Sequence, residues 1–64
     1  MTQFQKVIIR ELAKNNMNVT KTARTLFFHR NTIDYHVRQI RLETGLNPLK
    51  FYDLLKLLED IKND

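Results

Sequence analysis

Only Gly45 and Pro48 can punctuate this chain's backbone, and the run from Met1 to Thr44 contains neither residue type. Glycine and proline are the strongest local breakers, so a chain this poor in them is built from helices. Its 64 residues make one domain. A domain of that size buries only about 60% of the surface its unfolded chain exposes, which leaves a small core and little scaffold for a catalytic cleft. There is no Cys, so disulfides and thiolate metal sites drop out, which suits a reducing cytoplasm. No apolar run approaches the roughly 18 residues of a membrane span, and no signal-peptide pattern opens the chain.

Apolar periodicity divides the chain into four predicted helices in one all-α domain. The first covers about 3–15, with Phe4, Val7, Ile8 and Leu12 on one stripe. Asn15, Asn16 and Asn18 interrupt it, because short amides compete with helical backbone, and Met17 plugs the connection. A second, about 19–27, starts at an N-cap supplied by Asn18 or Thr20 and turns Val19, Ala23, Leu26 and Phe27 inward. The third covers about 30–44, with Ile33, Val37 and Ile40 as its stripe and Gly45 at the left-handed C-cap position. Asn47 before Pro48 reads as an N-cap with proline at the first helical position, which predicts a fourth helix over about 48–61. Its Phe51, Leu54, Leu55, Leu57, Leu58 and Ile61 cover an arc of about 160°, wider than the ~100° that one packed face needs.

The net charge of +4 is unevenly spread. Residues 14–41 carry Lys14, Lys21, Arg24, Arg30, Arg38 and Arg41 against Asp34 alone, a regional charge of +5. The flanks are +1 over residues 1–13 and −2 over residues 42–64. A cationic middle between near-neutral ends is the pattern of a surface facing a polyanion.

The second and third helices carry the helix-turn-helix pattern. Such a pair needs a small residue where the helices cross, and Ala23 supplies it. Leu26 and Phe28 flank the short turn, and Ile33, ten residues after Ala23, faces inward. Phe27 stands where a glycine is common, four residues after the small residue.

With Ile33 inward, Asn31, Tyr35, Arg38 and Leu42 fall on the opposite side of the third helix, flanked by Arg30, Thr32 and Gln39. Arg can bond guanine in bidentate fashion, Asn can do so with adenine, and Thr or Tyr can reach a phosphate or base edge. Asp34 is four residues from both Arg30 and Arg38 and can hold either in place. Thr20 and Lys21, at the start of the second helix, join the DNA-contact candidates. These residue types point to double-stranded DNA, with the third helix in the major groove.

The run from Thr22 to Pro48 resembles the C-terminal DNA-binding domain of the PucR and carbohydrate diacid regulator families. The resemblance lies in Thr22-Ala23, Leu26, His29-Arg30-Asn31-Thr32-Ile33, Tyr35-His36, Ile40 and Thr44-Gly45-Leu46, and covers about residues 12–60. It implies a Fis-type helix-turn-helix and a bacterial transcription regulator working in the cytoplasm at the nucleoid. By position it implies DNA contacts from His29, Arg30, Asn31, Thr32, Tyr35, His36 and Arg38. His36 departs from the pattern, standing where those families usually have Arg. The resemblance also implies a separate region that senses an effector, so this chain is expected to be part of a larger regulator.

Catalysis and cofactors find no support. His29 and His36 lie seven residues apart without Cys or paired carboxylates, so no metal, cofactor or enzymatic activity is expected. The competing reading is a small helical protein-interaction module using the apolar fourth helix, with Ile9, Leu42, Leu49 and Tyr52 as further unplaced apolar residues. That surplus is expected to serve a homodimer alongside DNA binding.

Overall fold

The computed structural model describes residues 1–63, and within them the chain forms four α-helices and no strand. These are α1 (Gln3–Lys14), α2 (Val19–Thr25), α3 (Arg30–Thr44) and α4 (Phe51–Lys62).

Local chemistry sets most of the helix ends. Thr2 and Gln5 form a capping box at α1: Thr2 Oγ1 accepts from the Gln5 N–H at 3.1 Å, and Gln5 Oε1 accepts from the Thr2 N–H at 3.0 Å. At the other end Met17 N–H bonds the Leu12 carbonyl and Asn16 N–H the Ala13 carbonyl, the paired bonds of a Schellman stop. Asn16 takes the left-handed backbone this stop needs, at φ 54°. Asn18 caps α2, accepting from the Lys21 N–H at 2.9 Å.

The turn between α2 and α3 is a second Schellman stop. Phe28 N–H bonds the Ala23 carbonyl at 2.9 Å and Phe27 N–H the Arg24 carbonyl at 3.2 Å. Phe27 therefore holds the left-handed position, at φ 61°, with its side chain 94% exposed. The missing glycine leaves the turn geometry intact and is replaced by a residue that pays about 1–2 kcal/mol for it. The sequence pattern placed Phe27 on the inward face of a helix ending near residue 27. The helix instead ends at Thr25, and Phe27 points to solvent because the stop reverses the chain.

The start of α4 differs from the sequence expectation. Asn47 and Pro48 belong to a turn that precedes the helix. Asn47 Oδ1 accepts from the Leu49 N–H at 2.9 Å, and the Asn47 carbonyl accepts from the Lys50 N–H at 3.0 Å. The cap signature is used for an Asx-type turn one step early, and Pro48 is buried beneath it. The helix begins at Phe51 behind Lys50, with no side-chain cap.

α1 is the hub: α2, α3 and α4 all pack on it, and α2 packs most extensively on α3. That position demands two buried faces on one helix. Gln5, Ile8, Ile9 and Leu12 are accordingly buried, while Val7, expected inward, is exposed. The core is completed by Ala23, Ile33, Val37, Ile40, Leu54, Leu57 and Ile61, with Phe4, Met17, Val19 and Leu26 packed at its margin. Leu57 is fully buried, so it belongs to the core and not to a surface that could pair with another molecule.

Candidate nucleic-acid interface

α3 is fixed from inside. Ile33 and Ile40 are fully buried and Val37 nearly so, all against α1 and α2. Ala23 is buried where α2 meets α3, and its small side chain lets the two helices approach. With three inward side chains locked, the opposite side of α3 has a fixed orientation.

That side presents Arg30, Asn31, Tyr35 and Arg38, all exposed, and Leu42 at 74% exposed. Thr32 and Gln39 are half-buried along one flank. Thr20 and Lys21 are exposed at the start of α2. Among the described residues Asp34 pairs with Arg30 and not with Arg38, Nε to Oδ2 at 3.6 Å. Both groups are well exposed, so the pair contributes about 0–1 kcal/mol and serves to orient Arg30. Arg38 makes no ion pair or side-chain hydrogen bond among the described residues.

The two histidines occupy supporting positions. His29 is the N-cap of α3: its Nδ1 accepts from the Asn31 N–H at 3.1 Å. The Asn31 amide at the start of α3 is thereby engaged. His36 is half-buried and leans onto α1. Its ring meets the Phe4 ring edge-on at 5.0 Å, and Nδ1 lies 3.4 Å from Gln5 Nε2. Gln5 Oε1 is committed to the Thr2 N–H, so its amide NH₂ is the group that faces His36, and Nδ1 accepts. Phe4 also packs against Phe28 with the rings tilted and 4.8 Å apart, and His36 meets Tyr35 at 5.2 Å. A chain of rings thus runs from the turn, across α1, to the exposed Tyr35.

Sequence reasoning missed Phe4 and Gln5 as supports for this face. Each occupies an ordinary position on an amphipathic helix, and only the crossing of α1 over α3 reveals the contact. It also missed that Arg41 and Lys50 share a groove with Arg38.

Among the described residues no helix is long and apolar enough to cross a membrane, and no group of His, Cys, Asp or Glu is arranged to hold a metal ion. No curated protein and no solved structure matches the chain. The sequence profile of the PucR C-terminal helix-turn-helix domain does match, over residues 8–61. The match runs from within α1 to within α4 and takes in all of α2 and α3. With that match over most of its length, this all-α chain belongs to the PucR C-terminal helix-turn-helix domain family.

Proposed function

We propose that this domain reads double-stranded DNA for a bacterial transcription regulator, with α3 as its recognition helix in the major groove. The observation that carries this reading is the outer side of α3. Arg30, Asn31, Tyr35 and Arg38 project from a helix whose other side is locked in the core. With its side chains a helix is ~10–12 Å across, which fits the ~12 Å width of the major groove. Arg38 and Asn31 have the chemistry to read guanine and adenine, and Thr20 and Lys21 sit where a flanking phosphate would pass. Thr32 and His29 complete the start of the recognition helix. His36, turned toward Gln5 and Phe4, supports Tyr35 from behind.

Sequence selection from a pool of random duplexes tests the reading. Enrichment of a defined motif is the expected result. A pool that stays random after several rounds overturns it.

A second element of the reading is pairing. Phe51, Leu55 and the 80% exposed Tyr52 form an apolar strip on the outside of α4. We assign it to a homodimer contact, weak in the isolated domain and firmer in the regulator, whose ligand-sensing function lies in a separate region. Two-fold pairing sets two recognition helices about one DNA turn, roughly 34 Å, apart and gives a pseudo-palindromic motif. A pure protein-interaction module would use the same strip and show no salt-sensitive affinity for DNA.

A further inference from the structure

The C-terminal part of α3 and the link to α4 border an open groove beside the recognition face. Arg38, Arg41 and Lys50 line it, together with Asn47 and Asp53. None of the three cations makes an ion pair or a side-chain hydrogen bond among the described residues. The groove's one carboxylate is already engaged, since Asp53 Oδ2 accepts from the Asn47 N–H at 3.0 Å. It ties the link to α4, and with three cations against this one carboxylate the groove stays net positive.

The link itself is fastened throughout. Thr44 Oγ1 donates to the Ile40 carbonyl at 2.7 Å and accepts from the Leu46 N–H at 3.1 Å. Gly45 takes the left-handed conformation at φ 75°, and its N–H bonds the Arg41 carbonyl. Asn47 holds Leu49 and Lys50 in a turn, and Pro48 is buried. Lys50 is therefore carried on a held backbone, so little main-chain ordering remains to oppose binding there.

Geometry sets what this groove can meet. With the first turns of α3 on the base edges, Arg41, ~4.5 Å beyond Arg38 along the axis, stands toward the end of the helix that meets the groove's rim. What borders the groove is the sugar-phosphate backbone. Lys50 reaches the same edge from a different element. We infer that Arg41 and Lys50 form a phosphate clamp, gripping one strand of duplex DNA at the rim of the groove that α3 occupies. The inference rests on the proposed DNA-reading function and adds a sequence-independent contact to it.

The test uses R41Q, K50Q and the double variant, with K56Q, a cation on the outside of α4, as control. Affinity is measured for a selected duplex and a random duplex of equal length, from 50 to 200 mM KCl. Each clamp substitution should flatten the salt slope by about 0.9, which corresponds to about an eightfold loss at 0.1 M salt when referred to 1 M. The loss should be equal on both duplexes, and K56Q should match the wild type. Unchanged affinity and slope in R41Q and K50Q, with the wild type binding normally, overturns the clamp alone. Losses confined to the selected duplex also overturn it, because they make these residues readers of bases. A wild-type domain with no salt-sensitive affinity for either duplex removes the DNA-reading function itself, and the clamp with it.

Discussion

The outer sides of α3 and α4 are both exposed and both belong to amphipathic helices, yet they are made of opposite materials. α3 shows Arg30, Asn31, Tyr35, Arg38 and Arg41, while α4 shows Phe51, Tyr52 and Leu55 beside Lys56 and Glu59. The first face is cationic and carries directional donors, the chemistry that suits a polyanion with readable base edges. The second has apolar area with charges of both signs nearby, which suits another protein surface and gives DNA nothing to read. The inner sides do not differ in this way, since Ile33, Val37 and Ile40 on one helix and Leu54, Leu57 and Ile61 on the other serve the same core. Burial defines the fold and leaves the outer chemistry of the two helices free to differ.

The largest effect that separates the two faces is salt. With roughly three to five phosphates neutralised per domain, log K should fall against log [salt] with a slope of about −3 to −4.5. Between 50 and 200 mM that is about a 60- to 500-fold loss, measurable by fluorescence anisotropy. A flat response would mean that the cationic face takes no part.

Next in size is Arg38. Replacing it with Ala should cost about 1–3 kcal/mol on the selected duplex and much less on random DNA, with the melting temperature unchanged. Equal losses on both would demote Arg38 from a base reader to a phosphate contact.

The α4 face should respond differently. Leu55→Lys leaves α3 untouched, so binding to a half-site should hold while binding to a two-half-site duplex loses its cooperativity. Sedimentation at high concentration should show the variant monomeric. Retained cooperativity would take pairing away from this strip. Leu57→Lys cannot serve as this probe, because a charge at a fully buried position would damage the fold itself.

The smallest effect lies on neither face. Phe27→Gly should raise stability by up to about 1 kcal/mol, as relief of left-handed strain is partly offset by the added freedom of the unfolded chain. In a domain this small that is up to about 4–8 °C in Tm, with DNA affinity unchanged. A fall in affinity would show that the exposed Phe27 ring itself touches DNA.

Much of this architecture is written locally. The spacing of Ile33, Val37 and Ile40 names the inner side of α3, and hence its outer side, before any tertiary contact is known. Ala23 marks the crossing and Gly45 the C-cap for reasons that reside in single residues. What escaped was set by the packing of one helix on another. Ile9 is buried and Val7 exposed because α1 is wrapped by three neighbours, and a one-stripe template cannot represent that. Asn47 and Pro48 carry the same signature for a turn as for a helix start, and the choice depends on Asp53 accepting from the Asn47 N–H. The family resemblance implies a DNA contact from His36, whereas its ring leans onto α1. Its partners, Gln5 and Phe4, lie more than thirty residues earlier, so no window along the chain contains the contact.

The most direct test of the account is a titration of the ¹⁵N-labelled domain with the selected duplex, followed residue by residue by NMR. Perturbations should concentrate on Thr20, Lys21, the segment from His29 to Arg38, and Arg41 and Lys50, while Tyr52, Leu55 and Glu59 stay fixed on a half-site duplex. Shifts centred on the outside of α4, with α3 unmoved, would contradict the assignment of DNA reading to α3.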